Sequence, residues 1–234
     1  MRNFIVLTLF KEAFSGFIDT SIIKRAIDQN IVNIHLIDIR DYSLNKHKKV
    51  DFPPVGGGSG MVISPEPLGL AIDKAYDYLK NDIKSTNDIK IIYMSPRGFL
   101  LNQKMSYEFA NTKNDYIIIC GHYEGIDERI IEKYNVLEIS IGDYVLTQGE
   151  LASQVFMDSV IRLIDGTIKK ESLEFESHTN GLLEYPQYTK PILYDNMKVP
   201  EILLSGNHQK IAEYRKMESI RITKKYRPDL LNKI

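Results

Sequence analysis

Hydrophobic residues along the chain alternate between two spacings. Short apolar runs rich in β-branched residues predict buried strands at residues 4–10, 34–39, 90–94, 116–120 and 136–140. Apolar residues three or four positions apart predict amphipathic helices over 14–27, 65–79, 102–110, 126–131 and 150–164. Ser64 and Pro65 resemble a helix start with a capping serine. The alternation predicts an α/β fold with a mostly parallel sheet covered by helices on both faces.

The stretch from residue 116 to residue 150 contains two of these strands, and each ends in a polar turn that contains glycine. The first turn is 121–125 and the second is 142–144. In open α/β sheets, ligands bind at the carboxyl ends of the strands, where such turns lie. We therefore predict a ligand site formed by these two turns.

A second glycine-rich segment has four glycines in the five residues 56–60. Glycine costs backbone entropy, so the segment is either a mobile linker or an ordered loop whose backbone needs positive φ or close approach. It is not a dinucleotide-binding fingerprint, because the last glycine position is occupied by Met61 and no strand immediately precedes it.

Composition is that of a globular protein, with 234 residues, 43% hydrophobic and 26% charged. No apolar run has the length of a membrane span, and the apolar start is too short for a signal peptide. Cys120 is the only cysteine, so a disulfide within the chain is impossible. These observations favour a cytoplasmic location.

Charge is unevenly distributed along the chain. Residues 205–234 contain eight basic and three acidic residues, a net charge of +5, whereas the remainder carries −6. The basic tail is either a solvated helix or a surface that faces nucleic acid.

Several reaction classes find little support in the sequence. The five histidines lack metal-ligand spacing, and neither a Gly-x-Ser-x-Gly elbow nor a phosphate-loop Gly-Lys-Ser/Thr is present. The charged residues Asp127, Glu128 and Arg129 have the pattern of surface ion pairs. The residues alone therefore indicate an α/β ligand-binding domain with a basic appendage, and the reaction does not follow from them.

Several long motifs occur in an order that resembles one family over essentially the whole chain. They are GGGSGM at 56–61, SPRG at 95–98, CGHYEGIDER at 120–129, SIGDYVL at 140–146, GLLEYPQYT at 181–189 and LSGNH at 204–208. Together they resemble the bacterial tRNA (guanine-37-N1) methyltransferases, which belong to the knotted SPOUT superfamily.

The resemblance implies a deep trefoil knot and an obligate homodimer with shared active sites. It implies a knotted catalytic domain at residues 1–165, a flexible linker at 166–180 and a small, mainly helical tRNA-binding domain at 181–234. S-adenosylmethionine would bind bent in the knot, through Tyr93, Pro96, Gly121, Ile141, Gly142, Asp143, Tyr144, Val145 and Leu146. The basic tail would hold tRNA phosphates through Lys210, Arg215, Arg221 and Lys224.

The resemblance also assigns the chemistry. Glu176 would be the general base that removes the proton from guanine N1, at a position where the family usually has aspartate. Arg162 would stabilise negative charge on O6, and Glu124 would help to hold magnesium. Gln148 and Ala152 replace a usual glycine and proline beside the cofactor loop, which predicts a change in cofactor affinity. Glu176 and Gln148 motivate one alternative, an RNA-binding protein of this fold with little or no turnover. A second alternative is a SPOUT enzyme that methylates a ribose oxygen or another RNA, but the motif at 181–189 and the basic C-terminal domain favour the tRNA methyltransferase over it.

Overall fold

A computed structural model describes residues 1–231. The chain divides into two compact units, with the division between Ile168 and Lys169. This division falls within the segment predicted as a linker, residues 166–180.

A five-stranded sheet forms the centre of the first unit. Its strands are β1 (Arg2–Thr8), β2 (Val32–Asp38), β5 (Asp88–Leu100), β6 (Asn114–Cys120) and β7 (Leu137–Ser140). Their order in the sheet is β2-β1-β6-β5-β7, and every neighbouring pair is parallel. The prediction of an α/β fold with a parallel sheet is confirmed. A small antiparallel pair, β3 (Asp51–Phe52) and β4 (Val62–Ile63), lies outside this sheet.

Helices cover both faces of the sheet. They are α1 (Ser15–Ile18), α2 (Ser21–Asp28), α3 (Pro65–Asp77), α4 (Gln103–Asn111), α5 (Glu128–Tyr134) and α6 (Gly149–Ile161). Successive residues of a strand point to opposite faces. Phe4 and Val6 accordingly belong to one buried core with residues of α2, α4 and α6. Ile5 and Leu7 belong to another core with residues of α3 and α5.

Three local predictions differ from the structure. Strand β5 does not end at Met94 but continues to Leu100, with a shift of register between Met94 and Phe99. Such a bulge lets a strand pass residues that pair poorly, such as Pro96, and then resume its ladder. The helical segment predicted at 14–27 is interrupted, because Thr20 has an extended backbone with φ −129° and ψ 154°. Ser64 does precede α3, but its side chain makes no capping hydrogen bond.

The second unit is mainly helical. Its elements are α7 (Lys170–Leu173), β8 (Leu193–Tyr194), β9 (Met197–Lys198), α8 (Glu201–Leu204), α9 (His208–Tyr226) and α10 (Pro228–Leu231). Strands β8 and β9 form an antiparallel hairpin. The functional assignment of the two units remains a prediction. Within residues 1–231, no helix has the length and apolar character needed to cross a membrane.

Candidate functional site

A cavity of about 310 Å³ opens at the carboxyl edge of the sheet, where the turns after β6 and β7 meet an irregular part of β5. These are the two turns that the sequence singled out. Of the residues expected to bind the cofactor, all except Asp143 line this cavity, namely Tyr93, Pro96, Gly121, Ile141, Gly142, Tyr144, Val145 and Leu146. The structure therefore brings these residues together, while their role in binding remains a prediction.

Further residues that were not assigned to the cofactor complete the wall, including Met94, Ser95, Arg97, His122, Tyr123, Ser140, Thr147 and Gly149. The segment from Ser140 to Gly149 contributes nearly all of its residues. Asp143 is the exception. The signal that could have found these residues is their position next to predicted ones.

Two glycines allow main-chain segments to meet in the wall. A Cβ atom on Gly121 would lie 2.7 Å from Cε2 of Tyr93, and a Cβ atom on Gly149 would lie 2.5 Å from the nitrogen of Gly121. The backbone N–H of Gly149 donates to the carbonyl oxygen of Gly121 at 2.8 Å. A side chain at either position would collide with these atoms. The wall can therefore present backbone donors and acceptors to a ligand.

Ionisable groups at the cavity are held in defined states. Burial raises the pKa of Tyr93 to about 12, with the negative charge of Glu138 adding to the effect. The phenol therefore stays protonated at neutral pH. Arg97 pairs with Glu138 at 2.7 Å and with Glu128 at 2.6 Å, and these hydrogen bonds raise its pKa. The positive charge of Arg97 on the rim is thus compensated by two carboxylates.

The glycine-rich loop is anchored beside the cavity. Gly56, Gly57, Gly58 and Gly60 have φ values of +97°, +87°, +119° and +84°, which side-chain-bearing residues rarely adopt. The carbonyl oxygen of Met61, at the end of the loop, accepts a hydrogen bond of 2.9 Å from the N–H of Glu124. Positive φ therefore accounts for the four glycines, as expected for an ordered loop.

Glu124 lines the cavity, as a magnesium ligand would need to do. Magnesium sites usually combine one or two carboxylates with water and substrate phosphates. Within residues 1–231, no group of three or more His, Cys, Asp or Glu could hold a metal ion. The side chains described do not form a complete magnesium cage, so no catalytic step is derived through this ion.

Both departures from the family pattern lie in the cavity wall. Gln148 precedes α6 and has φ −156° and ψ 149°, an extended conformation that any residue can adopt. Gln148 therefore introduces no backbone strain beside the cofactor loop. Ala152 is buried in the first turns of α6 and also lines the cavity.

Arg162 is not among the residues that line this cavity. It follows the last residue of α6, whose first residue, Gly149, is in the wall. A rise of 1.5 Å per residue separates the two ends of this helix by about 20 Å. A single chain therefore does not bring Arg162 to its own cavity.

The second unit has a cavity of about 400 Å³, and Glu176 lies in its wall. Most of the lining is apolar, from Phe175, Leu182, Leu183, Tyr185, Ile211 and Ala212. Arg215 and Lys216 add positive charge, and the Arg215 guanidinium lies 4.8 Å from the centre of the Tyr185 ring. Apolar walls with a carboxylate and cations can accommodate a planar base with hydrogen-bond donors on its edge. The sequence did not predict this cavity, although GLLEYPQYT supplies part of it.

Helix α9 carries most of the basic tail, with six basic and two acidic residues. Lys210 and Lys224 are exposed on this helix, whereas Arg221 pairs with Glu218 at 2.7 Å. Lys233, which was counted in the tail, lies outside the described residues.

The fold and the cavity define an α/β protein with a cavity at the carboxyl edge of a parallel sheet and a second, basic helical unit. The family described as tRNA (Guanine-1)-methyltransferase TrmD matches residues 1–233, and the chain belongs to this family. A relative from Clostridioides difficile (strain 630), named tRNA (guanine-N(1)-)-methyltransferase, is 51% identical over 99% of this chain and 98% of its own length. Relatives of the same name from Clostridium beijerinckii and Fusobacterium nucleatum are 50% and 48% identical. They cover 98% and 97% of this chain, and 92% and 90% of their own lengths.

Proposed function

We propose that this protein transfers a methyl group from S-adenosylmethionine to N1 of guanine 37 in tRNA. The observation that carries the proposal is the close approach of two main-chain segments at Gly121 and Gly149 in the cavity wall. The chain that contains them belongs to a tRNA methyltransferase family. The bound cofactor supplies an electrophilic methyl group. The residues of the cavity wall hold this cofactor, with the backbone at Gly121 reading the adenine.

Guanine N1 is a poor nucleophile until its proton leaves. Glu176 is the proposed base, and general-base catalysis typically contributes about 10²–10⁴-fold in rate. Its place in a largely apolar cavity supports this role, because such a cavity can exclude water around a planar base. Negative charge that develops on O6 would be stabilised by the guanidinium of Arg162.

The proposed assembly is a homodimer in which Arg162 of one subunit acts at the cavity of the other. The length of α6 supports it, since about 15 Å of helix separates Arg162 from Ala152, the wall residue furthest along α6 in the same chain. Leu151 and Val155, one turn apart on α6, are each 48% exposed. An apolar stripe of this kind fits a helix that packs against a second subunit.

The trefoil knot is proposed with the same site. It is supported by the hydrogen bond between Gly149 and Gly121, which joins the segment after β7 to the turn after β6. Magnesium held partly by Glu124, and a cytoplasmic location where tRNA is available, complete the proposal.

Loss of turnover is not favoured as an alternative. It was motivated by Glu176 and Gln148, but glutamate retains the carboxylate and Gln148 has an unstrained backbone. The curated relatives are moreover named as methyltransferases. Ribose methylation remains a possible outcome of the experiment below.

The decisive experiment measures transfer of a labelled methyl group from S-adenosylmethionine to tRNA with guanine at positions 36 and 37, followed by nucleoside analysis. Wild type should form 1-methylguanine, and Glu176→Gln should lose about 10²-fold or more of the rate. Glu174→Gln, an exposed glutamate two residues away, is the matched control and should retain the wild-type rate.

Each outcome has a defined meaning. A methylated ribose would overturn the proposed product. Equal rates for wild type and Glu176→Gln would place the base elsewhere while leaving the product unchanged. Binding of cofactor and tRNA without any product would support the alternative of an RNA-binding protein.

A further inference from the structure

Behind the wall of the first cavity lies a polar cluster that the proposed chemistry does not use. Glu150, in the first turn of α6, is completely buried. Its Oε1 atom accepts a hydrogen bond of 2.5 Å from the hydroxyl group of Thr8. The Nε2 atom of His122 lies 2.8 Å from each carboxylate oxygen. A buried carboxylate is costly unless it is paired, so these contacts must be maintained in the folded protein.

The cluster connects three separate elements. Thr8 is the last residue of β1, His122 lies in the turn after β6, and Glu150 is the second residue of α6. The same turn and helix are also joined directly by the hydrogen bond between Gly149 and Gly121. The Phe10 ring packs on His122 with 5.1 Å between ring centres. The polar cluster thus connects the turn that contains Gly121 with the helix that begins at Gly149.

Glu150 is not itself in the cavity wall, whereas its neighbour Gly149 and its partner His122 are. Its influence on a ligand therefore has to pass through these residues.

The geometry points to Glu150 as a positioning residue that, through His122 and with Thr8, fixes the turn after β6 in the shape that binds the cofactor. This inference rests on the proposed cofactor site and adds a residue group that determines affinity at that site. The carboxylate acts by orienting the wall and makes no contact with the ligand. Loss of its hydrogen bonds should therefore weaken cofactor binding and leave tRNA binding unchanged.

The first test compares wild type with Glu150→Gln for binding of S-adenosylmethionine and of the demethylated product S-adenosylhomocysteine. Glutamine has the same size, but its side chain has one acceptor oxygen and one donor nitrogen, whereas the carboxylate of Glu150 has two acceptor oxygens. We expect both dissociation constants to rise by the same factor, about tenfold or more, with an unchanged constant for tRNA. Glu132→Gln, an exposed glutamate on α5, is the matched control.

Two ligands are needed because only S-adenosylmethionine carries the sulfonium charge. Weakening confined to S-adenosylmethionine would mean that Glu150 acts by long-range charge, and it would overturn the positioning role. Unchanged binding of both ligands would overturn it as well. If wild type binds neither ligand, the proposed cofactor site fails and the inference fails with it.

A second pair of variants protects the test against misfolding of Glu150→Gln. Thr8→Val removes the hydroxyl donor with little change of shape, whereas Thr8→Ser retains it. We expect Thr8→Val to weaken the binding of both ligands and Thr8→Ser to bind both as wild type does. The KM for tRNA should be unchanged in both variants. Equal binding by the two variants would contradict the inference, provided that thermal unfolding shows both to be folded.

Discussion

The phenol of Tyr93 shows how one residue links the cavity to stability. Its pKa is raised to about 12 in the folded protein, against about 10 in the unfolded chain. The unfolded state therefore loses the proton first as the pH rises. The contribution of the protonated Tyr93 phenol to the free energy of unfolding is complete below pH 10 and is lost as the pH rises toward 12. Two pKa units correspond to about 2.7 kcal/mol.

Tyr93→Phe should remove this part of the pH dependence. We expect the free energy of unfolding of wild type to fall more steeply than that of Tyr93→Phe between pH 9.5 and pH 12, as measured by urea denaturation. Tyr107→Phe is the control, because Tyr107 lies in a different element, α4. Parallel curves for wild type and Tyr93→Phe would show that the phenol is not shielded from solvent.

Arg162 supports a prediction in which catalysis is impaired while cofactor binding is unchanged. Since Arg162 is proposed to act on O6 of the guanine and not on the cofactor, Arg162→Ala should leave the dissociation constant of S-adenosylmethionine close to the wild-type value. Loss of one group that stabilises developing charge typically costs about 10²–10³-fold in kcat. Single-turnover methyl transfer measures this loss, with Arg129→Ala, an exposed arginine on α5, as the control. Full activity of Arg162→Ala would remove this residue from the mechanism.

Single residues could be predicted from the sequence only where a motif was long. Gly121 and the segment 141–146 were identified because they follow strands and match a family pattern. Asp143 was included by the same reasoning, but it is not among the residues that line the cavity, and its role in binding remains a prediction. Glu150 was missed because a buried carboxylate has the same local signature as an acidic residue that favours a helix start.

The exposed apolar residues of helix α6 support a prediction about the proposed homodimer. Leu151 and Val155 form an exposed apolar stripe, and a charge within a subunit interface is costly. Leu151→Asp should therefore convert a dimer to a monomer at micromolar concentration, as measured by light scattering. Leu70→Asp, on the exposed side of α3, is the control and should leave the mass unchanged. A monomeric wild type would contradict the proposed dimer directly.

Helix α9 allows the proposed contact with tRNA to be measured through its salt dependence. Each phosphate contact contributes nearly one unit to the slope of log K against log salt concentration. Lys224→Ala should reduce this slope by about 1 and weaken binding of different tRNA sequences equally. Lys84→Ala, an exposed lysine in the first unit, is the control. An unchanged slope for Lys224→Ala would exclude a phosphate contact at this lysine.

Most elements of the first unit could be predicted from spacing alone, because a parallel sheet buried on both faces needs continuous apolar strands between amphipathic helices. Strand β5 was the main exception. Pro96 and Gly98 are typical of a turn, but pairing with β7 at Ile139 allows the strand to resume beyond them. Such a tertiary contact leaves no mark in the local sequence. The cavity beside this bulge was therefore predicted only in part.

The proposed active site combines residues from both units of the chain. Arg162 belongs to the first unit and Glu176 to the second, and the spacing along the chain gives no distance between them. The resemblance assigned both residues to one active site. Whether this site includes two subunits can be tested without further structural information, because the positions of Arg162 and of the cavity on α6 are known.

Complementation between two inactive variants tests the shared site. Gly121→Val should prevent cofactor binding, since a side chain there collides with Tyr93, and Arg162→Ala should prevent turnover. Co-expressed with different affinity tags, the two variants would form heterodimers that can be purified through both tags. If Arg162 acts across the interface, one site of each heterodimer combines an intact cavity with an intact arginine. Activity should then recover to about half that of wild type, because one of two sites is restored. If Arg162 acts within its own chain, both sites stay defective and the heterodimer is inactive.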